Sequence, residues 1–345
     1  MALVIILAGL ALIAGVLFAI KFDFRKLNTQ TFARERRVLE SEFSEIEIRT
    51  DAFDVRILPM SGEDGAEAYL PYSEKVLHTL TVQDGKLLIE VEDTRAWYEK
   101  WSFNTSKREE NSVLELRIPH ACYDKLTVKV KSGDVLADGQ TDEGDALCFG
   151  SVDLSANSGD VEFRASATEN VRLQTSSGNI TVGGVKSAPI FARATTGDIS
   201  VIGCEPTSAE LALSTGDVML AGVNFVGEGV LLIEFSSGDI SMQNVKAQSI
   251  ELKTTTGEIE MKAVTVAGEL RAETTTGDIE IERSDAGSLY LKSTTGDVDA
   301  ELISGKMFHV ETTSGEKEYP ASDRDGGVCE VKTTSGDVKI AVLAR

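Results

Sequence analysis

Histidine, tryptophan, cysteine and proline are all scarce in this chain, at three, two, four and six among 345 residues. His78, His120 and His309 stand far apart and join no motif, which leaves little material for a general base or a metal cluster. No GxSxG, Walker loop or HExxH occurs either. No catalytic, cofactor-binding or metal-binding residue is therefore singled out. Cys122, Cys148, Cys204 and Cys329 show no CxxC and no metal spacing. Cys204 and Cys329 fall where sister repeats carry Leu, Ile or Val, so they read as small buried hydrophobes. Geometry argues against a disulfide between coils so far apart. Positive charge is also short. With 34 basic against 56 acidic residues the formal charge is −22, which argues against nucleic acid and against docking on anionic lipid.

Glycine, by contrast, is plentiful, and eleven of the 30 recur in one context. Ser or Thr, then Gly, then an acidic residue, then usually Ile or Val, is written around Gly133, Gly159, Gly178, Gly197, Gly216, Gly238, Gly257, Gly277, Gly296, Gly315 and Gly336. After a first gap of 26 residues the spacings stay between 19 and 22. A period near twenty residues marks stacked coils. Seven and five residues before each glycine stand apolar residues such as Val171 and Leu173. Two and four after it stand others such as Ile180 and Val182. Alternation of period two means strand, and the glycine between the halves is where the chain turns.

One strand–turn–strand unit has a single apolar face and cannot bury it alone. Stacking eleven units 4.7–4.9 Å apart makes a continuous core and a rod on the order of 50 Å long. The expected fold is all-β, a single-chain β-solenoid of coils about 19–20 residues long, with an antiparallel meander as the alternative. Small residues seven past the glycine, including Val185, Cys204, Val223, Val245, Val264 and Ile303, read as a third inward position at the corner of the coil.

Residues 1–20 carry no charged side chain, and twenty apolar residues just span a bilayer core of about 30 Å. The organisation expected is a transmembrane anchor over 1–21 and a basic juxtamembrane linker over 22–37. Irregular N-terminal β coils and a cap follow over 38–131, and regular solenoid repeats over 132–345. The bilayer is thus a partner through residues 1–21. Lys21, Arg25, Lys26, Arg34, Arg36 and Arg37 all follow the span, which by the positive-inside rule places the large domain in the cytoplasm. Within the cap region Asp84-Gly85 is a hairpin turn, and Phe53-Asp54-Val55 mimics the repeat with Phe53 in the glycine slot. Trp97, Tyr98, Trp101 and Phe103 read as core capping or as an aromatic ligand patch.

The anchor with Asp23-Phe24-Arg25-Lys26-Leu27, the Ile118-Pro119 strand end and the recurring Thr-Thr-Gly-Asp-Ile turns resemble a known group. They look like the bacterial putative-adhesin, β-strand-repeat family of unknown function that includes LiaG-type envelope proteins. The resemblance covers roughly residues 40–345. It implies a membrane-anchored protein whose repeat domain lies outside the cytoplasmic membrane. It brings no catalytic residues.

The residue after each glycine is acidic ten times, with Asn179 the exception, so stacking would build a carboxylate ladder about 5 Å in step. Neighbouring charges at that distance repel by roughly 1 kcal/mol even in water. Two arrangements offset this: hydrogen bonds from turn amides or the preceding Ser and Thr hydroxyls, or a hard cation such as Ca²⁺ bridging carboxylates. Lys317 interrupts the apolar series near the end, and the chain stops one strand past Gly336, which reads as an outward bulge and an uncapped final coil.

Three functions are compatible with these residues. The first is an adhesin-like or envelope-sensing module that binds an envelope component without catalysis. The second is a cytoplasmic, membrane-tethered scaffold that polymerises end to end. The third is a polysaccharide-active β-helix enzyme, although such enzymes are expected to break the repeat with long loops and unique basic residues.

Overall fold

The computed structural model describes residues 32–60, 65–95, 110–139 and 147–343. The expected anchor over 1–21 and the aromatic cluster from Trp97 to Phe103 lie outside the described residues. What is described is all-β. Each repeat places one strand before its glycine and one after, as in Ser166–Ser177 followed by Ile180–Gly183.

Successive repeats pair in parallel and in register. Before the glycine, Val171 lies opposite Ile190, Ile190 opposite Ala209 and Ala209 opposite Leu231. After it, Ile180, Ile199, Val218 and Ile240 line up in the same way. Parallel pairing of this kind excludes the antiparallel meander. A one-residue slip would turn every inward side chain to solvent, so the alternating pattern itself pins the register. Like residues therefore stack on like. Val171, Leu173, Ile180 and Val182 are fully buried, as are their counterparts in neighbouring coils.

Six of the coils share two turns. The first turn is at the repeated glycine, whose φ runs from 130° to 156°. The second falls six residues later, in the left-handed region, at Gly184, Gly203, Gly222, Asn244, Ala263 and Arg283. The next residue points inward: Val185, Cys204, Val223, Val245 and Val264 are buried as expected, with Ser284 taking the same place. Ile303 is a correction, because it is 45% exposed. The register shifts between the Gly277 and Gly296 coils so that Leu302 faces Ser284 and is buried instead.

The order of coils in space departs from their order in sequence at both ends. At the C-terminus, Val328–Ser335 pairs with Leu289 to Thr295 on one side and Met307–Ser314 on the other. Val338–Val342 likewise lies between Val298–Leu302 and Lys317–Glu318. The last coil in sequence is thus the next-to-last in the stack, and the Gly315 coil is outermost. The open edge expected at the Gly336 coil therefore lies on the Gly315 coil, which carries Lys317 and whose strands pair on one side alone among the described residues. An outermost strand needs no second inward face, and a two-residue strand of Lys and Glu followed by Pro320 is a blunted edge. The return is made by Gly326 and Gly327, where a Cβ would come closer than 3.0 Å to the carbonyl oxygens of Gly305 and Gly287.

The N-terminus repeats the device. Glu45–Thr50 and Asp54–Met60 insert between the first regular coil and a coil built from Lys86–Asp93 and Val113–Pro119. Three antiparallel strands close this end. Val76–Gln83 forms the expected hairpin about Asp84-Gly85, Ala66–Tyr72 covers Val113–Pro119, and Ala33–Leu39 covers Ala66–Tyr72. Residues 33–37, expected in the linker, are therefore strand. Their charges misled because each finds a partner: Arg34 meets Glu115 at 2.8 Å and lies over the Tyr69 ring, Arg36 pairs with Glu67, and Arg37 with Glu35.

Candidate functional site

Three surfaces run the length of the stack: the acidic edge at the glycine turn and the outer faces of the two sheets. The acidic edge is a hydrogen-bonded ladder. Asp54 Oδ1 accepts from Asp134 N at 2.9 Å, Asp134 Oδ1 from Asp160 N at 3.0 Å, and Asp160 Oδ1 from Asn179 N at 2.7 Å. The series continues through Asp198, Asp217, Asp239 and Glu258, each backbone amide donating to the side chain one coil below. It follows spatial order at the end, where Asp297 Oδ1 serves Asp337 N and Asp337 Oδ1 serves Glu316 N. Asp54 begins it, as the Phe53-Asp54 mimicry of the repeat foretold.

Asn179 shows what the ladder requires. Its Oδ1 accepts from Asp198 N at 2.8 Å just as an aspartate would, so the position needs an acceptor oxygen and tolerates loss of charge. The expected partners are corrected in one respect. The donors are backbone amides of the next coil, and the bonded hydroxyls stand three residues before the glycine. Thr175 donates to Gly159 O at 2.9 Å, Ser293 to Gly277 O at 3.0 Å and Thr333 to Gly296 O at 3.2 Å. Asp217→Asn is accordingly expected to leave stability unchanged or slightly higher. Asp217→Ala removes the acceptor from Asp239 N, an exposed bond, and should cost about 0.5–1.5 kcal/mol, read as hydrogen-exchange protection of that amide.

Glu258 is the one interior break, since among the described residues its longer side chain makes no bond to Asp278 N. Burial and then the carboxylates of Asp239, Asp278, Glu280 and Glu260 raise its pKa above the usual glutamate range. A carboxyl whose folded pKa is raised weakens the fold wherever it is ionised, and the penalty vanishes below the unfolded value near 4.5. Glu258→Gln should therefore melt higher than the natural chain at pH 7, with the gap closing as pH falls toward 4.5. An unchanged gap between pH 7 and pH 4 would contradict the assignment.

The outer face before the glycine is charged and aromatic. Arg172 lies over Phe191 with 5.6 Å to the ring centroid, Arg271 over Tyr290 at 4.3 Å, and Lys253 meets Glu234 at 3.3 Å. Shallow grooves between these rows are lined by Arg193, Glu210, Ala212 and Lys253.

The outer face after the glycine differs. Across four coils its outward residues are Thr181, Gly183, Ser200, Ile202, Met219, Ala221, Ser241 and Gln243, and none can ionise. Ile202 and Met219 are 45% and 42% exposed. Charge returns on both sides, with Glu162 and Arg164 one coil before the strip and Glu260 and Lys262 one coil after it. In a chain where 26% of residues are charged, this strip is the most distinctive surface on the described stack. Sequence reading passed it over because inward positions draw attention first. Its signal was the missing charge at three and five residues past the glycine.

The structure keeps the histidines apart: His78 Nε2 lies 3.0 Å from Glu35, while His120 is exposed and His309 lies on the outermost coil. Among the described residues no three His, Cys, Asp or Glu side chains converge in a way that would hold a metal ion.

The repeat geometry has a family counterpart. The model of the Toastrack DUF4097 family matches residues 43–232 and 228–344. The chain belongs to that family. The match covers the whole regular Toastrack stack and most of the N-terminal coils, as the resemblance to the adhesin-like repeat group implied. No curated protein matches the sequence. Among solved structures, this Toastrack chain resembles a putative lipid binding protein from Parabacteroides distasonis ATCC 8503. The two are 12% identical, with 88% of this chain and 98% of that one covered and a TM-score of 0.36. A putative adhesin from Bacteroides fragilis NCTC 9343 is 13% identical, with 92% and 99% covered and a TM-score of 0.27. A second P. distasonis protein, also a putative adhesin, is 12% identical, with 88% and 98% covered and a TM-score of 0.33.

Proposed function

We propose that this Toastrack chain is a non-enzymatic, adhesin-like binding module of the cell envelope. Residues 1–21 tether it to the membrane and hold a β-solenoid out as a rigid display surface. The observation that carries the reading is the uncharged strip from Thr181 to Gln243, set in a strongly acidic and otherwise uniform stack. A row free of ionisable groups and carrying exposed Ile202 and Met219 suits contact with an uncharged envelope component, since no ionic group there has to be desolvated.

Two further features support it. On the acidic edge Asp54, Asp134, Asp160, Asn179 and Asp297 each give one oxygen to an amide of the next coil at ordinary length, between 2.7 and 3.0 Å. Three antiparallel strands cover the N-terminal end of the stack, and at the other end the outermost strand after the glycine is only the two residues Lys317–Glu318, which works against end-to-end polymerisation through that sheet and so against the scaffold reading.

The test is binding of the purified full chain, in detergent, to envelopes isolated from its own source. The doubly substituted Ile202→Glu, Met219→Glu chain should bind at least about tenfold more weakly while melting within a degree or two of the natural chain, because both side chains already face solvent. Equal binding by both proteins would remove the strip from the account.

A further inference from the structure

Cys122 and Cys148 lie 26 residues apart in sequence and opposite each other in space, as register partners on adjoining parallel strands. Paired strands run 4.7–4.9 Å apart, inside the 4.4–6.8 Å between Cα atoms that a disulfide spans. The strands approach closely at this point. A Cβ on Gly150, two residues past Cys148, would come closer than 3.0 Å to Asp124 O on the opposite strand. The next coil also shifts register between Phe149 and Ser151, which gives the backbone slack beside Cys148. Cys122 is exposed and Cys148 half-buried, each followed by an inward aromatic, Tyr123 and Phe149, whose rings stack at 5.9 Å. Burial first, and then the neighbouring Cys122 thiol as a hydrogen-bond partner, push Cys148 up to about 11. The other two cysteines have no such neighbour. Cys204 and Cys329 are buried on separate coils, and the Cys204 thiol donates to Ile202 O at 3.4 Å.

We propose that Cys122 and Cys148 form a reversible disulfide, by exchange with a small disulfide such as oxidised glutathione, that staples the first two regular coils together. Burial sets the order of events. The exposed Cys122, as thiolate, attacks one glutathione sulfur and expels the other glutathione as thiolate, which takes up a proton. Cys148 then loses its proton and attacks the Cys122 sulfur of the mixed disulfide, expelling the second glutathione. The two cysteines lose two electrons and two protons in total, and the glutathione disulfide gains them as two thiols. The bond would close the chain between Cys122 and Cys148 and brace the corner where the irregular N-terminal coils meet the regular stack.

The experiment uses the full chain in detergent with oxidised glutathione as the probe, followed by denaturation, alkylation with iodoacetamide and peptide mapping. Two of the four thiols should become unreactive, with the peptides holding Cys122 and Cys148 joined and both alkylated again after dithiothreitol. Cys148→Ser should stop at a single glutathione adduct on Cys122. Cys122→Ser should react at least about tenfold more slowly, because its remaining pair member is half-buried. Four free thiols, a stable glutathione adduct on Cys122 of the natural chain, or a disulfide-linked dimer would each overturn the proposal. The mapped linkage in the natural chain decides the matter even if a serine variant folds poorly.

Discussion

Gly257→Ala should destabilise the middle of the stack by about 3–5 kcal/mol, since of the repeated glycines it has the closest approach to the coil below. Two effects combine. Gly257 has φ of +149°, where a side chain is strained by about 1–3 kcal/mol. The new Cβ would also come closer than 3.0 Å to the carbonyl oxygen of Gly238, one coil below, and overpacking against backbone adds about 1–3 kcal/mol. Every repeated glycine from Gly159 to Gly336 is boxed in the same way by a glycine of the adjoining coil. The control is Gly222→Ala. That residue is also left-handed, at φ +64°, but nothing lies within 4 Å of its added Cβ, so the change should cost only about 1 kcal/mol. Ala263 and Arg283 already occupy the corresponding corner in other coils at φ of 52° and 46°, which shows that the corner tolerates side chains. Hydrogen exchange of the Ile259 amide, which bonds Asp278 O at 2.9 Å, reads the difference. Its protection should fall more than about a hundredfold in the first variant. Comparable losses in the two variants would show that backbone angle alone, and not the close approach, holds glycine in the repeat.

Removing residues 328–345 should unfold two coils rather than one. In a stack that followed sequence order, that deletion would trim the end and leave the Gly315 coil intact. Here, among the described residues, the deleted strands are the only sheet partners of Met307–Ser314 and Lys317–Glu318, so both lose their ladders and Met307 N keeps one bond, to Gly327 O at the new chain end. Phe308, only 7% exposed, loses its seat beside Cys329, and side chains of its kind contribute about 1.5–3 kcal/mol on burial. The shortened chain should show no protected amides from residue 304 onward and rapid proteolysis there, whereas Ile303 keeps its bond to Ser284 O. Its set of protected residues should match that of a chain cut back to residue 303. Retained protection in Met307–Ser314 would mean that the Gly315 coil can seat directly on the Gly296 coil.

These two results mark where the sequence was legible. The glycine period, the inward positions and the role of Phe53-Asp54 as an opening repeat could all be read, because each depends on residues within one coil. The order of the end coils could not. Repeats as alike as those of Gly296, Gly315 and Gly336 offer nearly equivalent faces, and which face meets which is decided by the connectors. Gly326 and Gly327 carry that information, through close approaches to Gly305 and Gly287 that no pattern within one coil displays. The strand Ala33–Leu39 was hidden for a different reason. Its charges pair with Glu67, Glu115 and Glu35, partners that sequence proximity does not reveal for the first two. The acidic ladder was half legible: its carboxylates were plain, but Asn179 explained their purpose only once Asp198 N was seen to donate to it. Cys122 and Cys148 became a pair only when the register was known.

Three of the six basic residues behind the charge-rule expectation, Arg34, Arg36 and Arg37, are held in these ion pairs, which leaves Lys21, Arg25 and Lys26 beside the proposed anchor. The side of the membrane on which the stack is displayed is the claim on which the binding role depends. It is tested most directly by protease digestion of intact cells carrying a C-terminally tagged chain, with lysed cells as the control. An envelope-displayed module loses its tag in intact cells. A tag that survives until lysis would contradict the account and return the domain to the cytoplasmic side.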